Sequence, residues 1–508
     1  MKRKYKKLVI TIVIATMIIT GCTTSTSTTA TTTSTTSSTG TVVADSSGIA
    51  VDKEFSANDL EVGYEDSTAT HIVLSSSSIK VTGSGAKAED SVLTISEEGT
   101  YVMTGTLKNG QIVVDAKDTA KIRIVLNGVD ITCSDNAAIY VKSADKVWLT
   151  LADKTENSLT DGSTYKQSDD NTVDGVIFSM SDLTLNGTGA LTVTGNYNHG
   201  IVSKDDLIIT GGIYNISAIK DGLNGKDCVK IKEGTFNISV TDGNGIQSKN
   251  GDETTKGYVY ICGGDINITQ CMEGIEGTAI IIEDGKIAIV AKDDGFNAAS
   301  GKTSTTTDTT ASDSSFGGGK DNGAMQNDTN CYISISGGTI NVNASGDGID
   351  SNGSLFISGG TIYVSGPTDN GNGGLDYNGT AEVTGGTIVV AGSSGMAQGF
   401  GDTSTQYSLL YNLTEVCEAG VELQLTDSNG TVIASFTPDK QYQSVVVSTP
   451  NLTNGIYTLT CGSQTNEVTL SSVVTSLGEQ ATMGGGGQGG PSGKGGMQRP
   501  NDTGDATN

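Results

Sequence analysis

Ile209-Thr-Gly-Gly-Ile-Tyr-Asn-Ile216 is the stretch that decides the fold, because Ile231-Lys-Glu-Gly-Thr-Phe-Asn-Ile238 repeats it about 22 residues later. Apolar side chains alternate with polar ones on both sides of a glycine in each copy. Alternation with a period of two is typical of a short strand that faces a core with every second residue. Each copy therefore predicts two strands joined at a glycine turn. The same pattern surrounds Gly212, Gly234, Gly264, Gly285, Gly338, Gly360 and Gly386.

A third apolar position recurs after a further turn in each repeat. It is filled by Ile201, Leu223, Ile246, Ile275, Phe296, Ile349 and Leu375. Two or three strands per repeat, stacked in register, predict a solenoid with continuous apolar ladders. We therefore predict an all-β fold: a right-handed parallel β-helix with about 22 residues per coil and a small antiparallel β C-terminal cap.

The predicted domain boundaries follow changes in this pattern and in composition. The β-helix with its N-terminal cap is predicted over residues 49–400, with a disordered insert at about 301–330 that is rich in Ser, Thr, Asp and Gly. Residues 401–477 lose the glycine repeat and predict the antiparallel cap, including a hairpin that turns at Asp427-Ser-Asn-Gly430. Residues 478–508 are Gly-rich and are predicted to be disordered.

The first residues predict export and lipid anchoring. Five basic residues among the first seven precede an apolar run, Leu8 to Ile19, that is too short to span a bilayer. Ile19-Thr-Gly-Cys22 then matches a lipobox, so residues 1–21 are predicted to be a lipoprotein signal peptide and Cys22 the lipidation site. Residues 22–48 are rich in Ser and Thr and predict a flexible tether. We expect the protein at the extracellular face of the cell membrane, lipid-anchored.

The charge of the chain restricts its partners. The formal net charge is −27, and removal of the five basic residues of the signal peptide would make it −27 − 5 = −32. A nucleic-acid partner is excluded by sign, because neutralisation of phosphates requires a basic surface. An acidic polysaccharide would also be repelled unless divalent cations lay between it and the protein. Abundant Asp makes Ca²⁺ the natural candidate, because Ca²⁺ takes six to eight oxygen ligands. We expect a monomer.

Seven cysteines remain beside Cys22, and an odd number cannot all pair. No CxxC spacing indicates a zinc site. Most are expected to be small buried apolar residues. Cys417 and Cys461 are the one candidate pair for a disulfide bond.

The turn before the third apolar position carries a column of polar residues. Equivalent residues of adjacent strands lie about 4.8 Å apart, so stacked carboxylates would repel each other by roughly 1 kcal/mol in water and by several times more when buried. Ca²⁺ bridging successive coils would neutralise them. The predicted metal ligands are Asp221, Glu273, Glu276, Asp294, Asn297, Asp347, Asp350 and Asp376. The alternative is that these are Asp-Gly and Asn-Gly turns, selected because Asp, Asn and Gly tolerate the left-handed backbone conformation.

The residues indicate no nucleophilic catalysis. His71 and His199 are the only histidines, and a lone histidine in a turn is more often structural than catalytic. A lyase would need a metal and a basic side chain, which Lys204, Lys226 or Lys249 could supply. No catalytic residue is assigned, and no carbohydrate-binding residue either. Tyrosines that could line a sugar-binding face are spread along the coils: Tyr140, Tyr197, Tyr258, Tyr260, Tyr332, Tyr363 and Tyr377, whereas Tyr214 is expected in the core.

Several longer stretches carry a family resemblance. They are Gly99-Thr-Tyr-Val-Met-Thr-Gly105, Asn109-Gly-Gln-Ile-Val-Val-Asp115, Val125-Leu-Asn-Gly-Val-Asp-Ile131, Ala138-Ile-Tyr-Val-Lys142, Gly195-Asn-Tyr-Asn-His-Gly-Ile-Val-Ser-Lys-Asp-Asp206 and Lys256-Gly-Tyr-Val-Tyr-Ile261. Over about residues 50 to 475 the chain resembles the bacterial carbohydrate-binding domain-containing proteins, which have a polysaccharide-lyase-like right-handed β-helix. The resemblance implies a calcium-binding protein that attaches to cellulose and to acidic plant polysaccharides such as pectin, without established cleavage.

The function expected from these observations is non-catalytic, Ca²⁺-dependent binding of plant cell-wall polysaccharide at the cell surface. Two alternatives stay open. One is a calcium-dependent polysaccharide lyase that acts on polygalacturonate. The other is a structural adhesin in which Ca²⁺ only stiffens the coils.

Overall fold

The computed structural model describes residues 48–253, 255–301 and 327–481, all of which belong to one compact unit that begins at Asp45. The predicted signal peptide, the lipidation site Cys22 and the tether up to residue 47 lie outside the described residues. The same holds for most of the predicted insert and most of the predicted tail. Among the described residues, no helix combines the length and the apolar character needed to cross a membrane.

The described chain is almost entirely β-structure. One α-helix, α1 (Ala57–Leu60), and one 3-10 helix (Asp66–Thr68) precede the first strand. The strands up to residue 160 are β1 Thr70–Ser76, β2 Ser78–Thr82, β3 Ala86–Glu89, β4 Val92–Ile95, β5 Gly99–Leu107, β6 Gln111–Asp115, β7 Lys121–Thr132, β8 Ile139–Ser143, β9 Lys146–Leu151 and β10 Glu156–Thr160. The next are β11 Gly175–Ser179, β12 Asp182–Gly187, β13 Ala190–Thr194, β14 His199–Ser203, β15 Asp206–Ile209, β16 Ile213–Ala218, β17 Leu223–Gly225, β18 Cys228–Ile231, β19 Thr235–Val240, β20 Ile246–Ser248, β21 Tyr258–Cys271, β22 Ile275–Gly277, β23 Ala279–Ala291 and β24 Phe296–Ala298. The last are β25 Tyr332–Ile335, β26 Thr339–Ala344, β27 Ile349–Ser351, β28 Ser354–Ile357, β29 Thr361–Ser365, β30 Leu375–Tyr377, β31 Ala381–Val383, β32 Thr387–Gly392, β33 Ser408–Cys417, β34 Leu423–Asp427, β35 Val432–Phe436, β36 Tyr442–Ser448, β37 Gly455–Cys461, β38 Gln464–Leu470 and β39 Val474–Leu477.

Two series of parallel strands are joined by unusually long strands. One series runs β9–β12–β15–β18 and the other β10–β13–β16–β19. Strand β7 pairs with the first strand of both series, and β21 pairs with the last strand of both. The pairings therefore return to their starting point through ten strands, all of them parallel.

This closed ring corrects the predicted fold class. The all-β class is confirmed, but the prediction of an open right-handed parallel β-helix is wrong. In β21 the backbone keeps its pairing with β23 across Gly263 and Gly264, with only register shifts, so two predicted strands form one bent strand. The alternation of apolar residues shows which side chains face inward, but it does not show whether a glycine turn interrupts the strand. The 23 strands that these pairings connect form the largest sheet.

A second sheet of 12 strands carries the third apolar ladder. Its order is β3–β4–β6–β8–β11–β14–β17–β20–β22–β24–β27–β30, parallel except for the first pair. Ile201 pairs with Leu223, and the ladder continues strand by strand to Leu375, as predicted. All of its members are at most 1% exposed. Tyr214 lies in the same core and stacks on Phe236 at 5.1 Å between ring centroids.

The C-terminal strands form a small separate core. Strands β35–β34–β37–β38 make an antiparallel sheet of four, in which β34 and β35 pair as the predicted hairpin requires. Strand β36 pairs antiparallel with β32 and β33, which attaches this part to the largest sheet. Cys417 and Cys461 are free thiols inside this core, and the Cys417 Sγ donates to the carbonyl oxygen of Cys461 at 3.3 Å. The candidate disulfide is therefore wrong for this structure.

The residues before the first strand cover the outer surface of the largest sheet. Ile49 packs with Tyr258, Tyr260 and neighbouring residues of successive strands. The Lys230 ammonium, 2% exposed, donates to Asp52 at 2.9 Å and to the carbonyl oxygen of Glu54 at 2.7 Å. This segment therefore lies along the side of the strands.

The glycine after each acidic turn residue is required for space. At Gly295 a Cβ atom would clash with the carbonyl oxygen of Gly348 and with a methyl group of Val342 in the next repeat. Positive φ angles occur instead at the other turn of each repeat, as at Gly212 with 107°. In the described chain no acidic turn residue of this column has a positive φ angle. The left-handed backbone therefore does not explain why acidic residues fill these positions.

Candidate acidic cation site

The polar residues after the turns stack in register, as the repeat predicted. On the 12-stranded sheet Asn224 pairs with Gln247, Gln247 with Glu276, and Glu276 with Asn297. The column continues from Asn297 to Asp350 and from Asp350 to Asp376. Neighbouring strands in a sheet lie about 4.8 Å apart, so these side chains form a continuous line.

Three carboxylates of the predicted set converge. Oxygen atoms of Asp294, Asp347 and Asp350 all lie within 4.8 Å of one another, and the three side chains are half-buried. The backbone N–H of Asp347 donates to Asp294 Oδ1 at 2.6 Å, and that of Gly373 donates to Asp347 Oδ1 at 2.5 Å. Asp350 accepts no hydrogen bond from the described residues. The cluster therefore holds more acceptor oxygens than donors.

The surroundings oppose ionisation of this cluster. Burial and, after it, repulsion by Asp347 raise the pKa of both Asp294 and Asp350 to about 8. Burial raises the pKa of Asp347 to about 7, despite the hydrogen bond from Gly373. Three carboxylates with such values are not all ionised near neutral pH unless a cation compensates their charge.

An amide oxygen and a fourth carboxylate lie beside the cluster. The Asn297 Nδ2 donates to Glu273 Oε1 at 3.0 Å, which directs the amide oxygen of Asn297 elsewhere. That oxygen is buried and has no hydrogen-bond donor in the described chain. Burial and the neighbouring Glu276 raise the pKa of Glu273 to about 7. Carboxylate and amide oxygens without donors are the ligand set that Ca²⁺ takes, so the residues present fit this ion.

The remaining predicted ligands have other partners. Glu276 contacts the Lys249 ammonium and accepts from Asn244 Nδ2 at 2.7 Å. Asp376 accepts from Gln398 at 2.7 Å, although burial raises its pKa. Of the eight predicted ligands, the structure therefore brings Asp294, Asp347 and Asp350 together, places Glu273 and Asn297 beside them, and leaves Glu276 and Asp376 at the edge.

Asp221 belongs to a different set of contacts. Its Oδ2 lies 3.1 Å from His199 Nδ1 and accepts from Asn224 at 2.6 Å. Burial would raise the pKa of Asp221, but hydrogen bonds and the charge of His199 lower it overall. Asp221 is thus already satisfied by protein groups and is not needed to explain a cation.

The candidate basic residues are tied to carboxylates. Lys204 Nζ lies 3.7 Å from Asp174, and Lys226 Nζ lies 2.8 Å from Asp252. The hydrogen bond to Asp252 raises the pKa of Lys226, which is the direction opposite to that required of a general base. Together with the contact between Lys249 and Glu276, these pairs give no geometric support to a lyase.

A second acidic group was missed by the sequence analysis. Carboxylate oxygens of Asp182, Asp205 and Asp206 lie within 4.8 Å of one another, beside a cavity of about 530 Å³ that Asp227 also lines. Burial and repulsion by Asp182 raise the pKa of Asp205 to about 7. The signal was present in the sequence: Asp205 and Asp227 precede strands in successive repeats, 22 residues apart. It was overlooked because the acids lie at a different turn from the predicted column.

Comparison with known proteins gives the family. A sequence model of the family described as "Carbohydrate-binding domain-containing protein" matches residues 89–371. The chain is 33% identical over 214 residues to a carbohydrate-binding domain-containing protein of Acetivibrio thermocellus. The aligned region covers 41% of this chain and 74% of the relative. One solved structure, the gadolinium derivative of the polysaccharide lyase-like protein from C. thermocellum, is 34% identical in sequence and has a TM-score of 0.40. The match covers 46% of this chain and 92% of that chain. On the family match and the first of these relatives, the chain belongs to the family of carbohydrate-binding domain-containing proteins.

Proposed function

We propose that this protein binds plant cell-wall polysaccharide, cellulose or acidic pectin-like glycans, without cleaving it and with the help of calcium. Membership of a carbohydrate-binding family supports the glycan as partner. The lipobox at Cys22 supports a location at the extracellular face of the cell membrane, held by a lipid anchor. The candidate bases Lys204, Lys226 and Lys249 are each paired with a carboxylate, which favours binding over lyase chemistry.

The observation that carries the calcium requirement is the unbalanced set of oxygen atoms around Asp350. Asp294, Asp347 and Asp350 crowd their carboxylates within 4.8 Å, and the buried amide oxygen of Asn297 has no donor in the described chain. A buried acceptor without a donor costs about 1 to 3 kcal/mol, and more when it is charged. A bound Ca²⁺ would remove this cost for Asn297 and would offset the repulsion among the three carboxylates. Glu273 is near enough to Asp350 for its charge to raise the pKa of that group.

The same ion explains how a strongly acidic protein could hold an acidic glycan. With a formal charge of −27, the chain repels polyuronate at long range. The three side chains are only half-buried, so a bound ion would stay accessible to solvent. Ca²⁺ takes six to eight ligands and could accept a carboxylate of the glycan there. Calcium would then act as a bridge between two groups of like charge.

Retention of the purified full-length chain on polygalacturonate and on cellulose tests this proposal. In calcium we expect retention on polygalacturonate, and a chelator or the variant Asp350→Asn should weaken it about tenfold or more, which corresponds to the loss of about 1.4 kcal/mol. Asp153→Asn is the matched control, because Asp153 is an exposed acid that pairs with Lys154, and it should bind like the wild type.

Three results would contradict the proposal in different ways. Equal retention on polygalacturonate with and without the chelator would remove the role of calcium. Release of unsaturated uronate products would make the protein an enzyme. Failure to bind any glycan in calcium would remove the proposed function altogether and favour the adhesin.

A further inference from the structure

A shallow groove lies between the outer surface of the largest sheet and the C-terminal part of the chain. Its floor is the outward side of β23, β26 and β29, and its far wall is the segment that follows β35. It has a volume of about 180 Å³, which is room for a sugar ring and not for a folded segment. Its lining combines Tyr363 and Phe436 with the exposed Val290 and with Asn341, Asn343 and Asp439.

We propose that a neutral polysaccharide chain binds in this groove, with a sugar ring against the aromatic pair of Tyr363 and Phe436 and its hydroxyl groups bonded to Asn341, Asn343 and Asp439. This inference rests on the proposed function, since it assigns the place where a glycan binds. It goes further in assigning the neutral class of glycan to a separate site, which shares no residue with the carboxylate cluster of Asp294, Asp347 and Asp350.

The aromatic pair offers a fixed apolar surface. The rings of Tyr363 and Phe436 stack at 5.1 Å between centroids with an interplanar angle of 28°. Both are half-buried, because one side of each packs on the C-terminal core. Val290, 49% exposed, lies next to them. The C–H face of a pyranose ring is apolar, and a rigid aromatic surface binds it at low entropic cost.

The polar side of the groove offers both donors and acceptors. The Asn343 Nδ2 donates to Asp439 Oδ2 at 3.3 Å across the groove. The side chain of the exposed Asn341 makes no hydrogen bond within the described residues. Amides and a carboxylate placed beside an apolar surface are the combination that recognises a sugar, whose ring is apolar on its faces and polar at its rim.

The groove is held in shape by contacts below it. The backbone N–H of Asp439 donates to the buried hydroxyl of Ser365 at 3.0 Å. The next residue, Lys440, contacts the carbonyl oxygen of Ala344 and lies 3.3 Å from the hydroxyl of Ser345. The wall that carries Asp439 is therefore fixed to two strands of the sheet, so binding would require little ordering of the protein.

The charge of the groove selects a neutral ligand. Its single carboxylate, Asp439, is bonded to an amide and followed by Lys440, and there is no carboxylate cluster among its lining residues. A polyuronate would meet Asp439 and the overall formal charge of −27 without a cation site to compensate them. A neutral glycan meets neither penalty.

The surface leading to the groove suits an extended chain. Asn267, Ala288, Asn341 and Tyr363 are aligned on successive strands. The line extends backward from Asn267 to Asn237 and Asn215, whose side-chain amides donate to one another at 3.4 and 3.1 Å. On strands about 4.8 Å apart, a row of amides interrupted at Ala288 thus ends at the aromatic pair. Phe436 and Asp439 lie outside residues 89–371, so the complete groove is not a feature of the matched family region.

Binding of the full-length chain to insoluble cellulose, used as the neutral probe, tests the inference. Tyr363→Ala and Asn341→Ala should each weaken binding, by about tenfold or more for the tyrosine and about threefold for the asparagine. Tyr64→Ala is the matched control, because Tyr64 is an exposed tyrosine that does not line the groove. This variant should bind like the wild type. Asn341 is exposed and makes no internal hydrogen bond, so its variant keeps the test valid even if Tyr363→Ala lowers the melting temperature.

The outcomes separate the inference from the proposed function. If Asn341→Ala and a folded Tyr363→Ala both bind cellulose like the wild type while the wild type binds a glycan, the groove is overturned and the proposed function stands. If these variants lose polygalacturonate but keep cellulose, the assignment of a neutral ligand is overturned. If the wild type binds neither probe, both fail.

Discussion

In the absence of calcium, the melting temperature of the protein should fall as the pH rises from about 5 to about 8. Asp294, Asp347 and Asp350 have pKa values of about 8, 7 and 8 in the folded protein, whereas an unfolded aspartate titrates near 3.9. Between these values the folded state holds protons that the unfolded state has released. Unfolding then releases protons, so it becomes easier as the pH rises. We expect a decrease of at least about 3 °C, measured by circular dichroism in a chelating buffer.

Calcium should reverse this loss at the upper end of the pH range. Binding to the ionised cluster stabilises the folded state by mass action, and it should do so more strongly at pH 8 than at pH 5, where protons compete for the same oxygens. Asp350→Asn should reduce both the pH dependence and the response to calcium, whereas Asp153→Asn should change neither. A wild-type melting temperature that responds to neither pH nor calcium would contradict the account of the cluster.

Asp59→Ala should cost about 3 to 5 kcal/mol of the free energy of unfolding, the range for removing one partner of a buried ion pair. Asp59 is 2% exposed, and its Oδ1 accepts from the Lys146 ammonium at 2.8 Å and from the Thr184 hydroxyl at 2.7 Å. The indole N–H of Trp148 also donates to it, at 3.2 Å. Loss of the carboxylate would leave the largely buried Lys146 ammonium with only Asp182, at 4.0 Å, as a counter-ion, and would remove the acceptor of Thr184 and Trp148.

Urea denaturation measures this effect, and a neighbouring acid provides the control. Asp66 lies in the same N-terminal segment, but its side chain is exposed and its carboxylate is 3.7 Å from His71, which is a long ion-pair distance. Asp66→Ala should therefore change the free energy of unfolding by less than about 0.5 kcal/mol. Because α1 carries Asp59 onto the outside of β9 and β12, limited proteolysis should also cleave the segment before β1 sooner in Asp59→Ala. Equal denaturation midpoints for Asp59→Ala and the wild type would show that this segment does not stabilise the sheet.

The inward-facing residues could be predicted from the sequence because side-chain alternation is a local property of a strand. The connection between strands could not. Between Ile209 and Ile213 the double glycine separates β15 from β16, whereas across Gly263 and Gly264 the pairing continues through β21. The two turns look alike in sequence, and only the neighbouring strands decide whether the hydrogen bonds persist.

In the candidate site, too, some contacts could be predicted from the sequence and others could not. Stacking predicted that Asp294, Asp347 and Asp350 would approach each other, since equivalent turn residues of successive repeats must be neighbours. It could not predict that Lys249 would reach Glu276, or that His199 would satisfy Asp221, because long side chains choose among several partners. Phe436 is reached from Tyr363 only through the docking of the C-terminal sheet, and no local pattern in the sequence reports that contact.

Calorimetric titration of the full-length chain with Ca²⁺ near neutral pH is the most direct test of the central claim, that the cluster of Asp294, Asp347 and Asp350 holds calcium. We predict saturable binding by the wild type and by Asp153→Asn, and a loss of about tenfold or more in affinity for that site in Asp350→Asn. Identical titrations of the wild type and Asp350→Asn, or no binding by the wild type, would contradict the account.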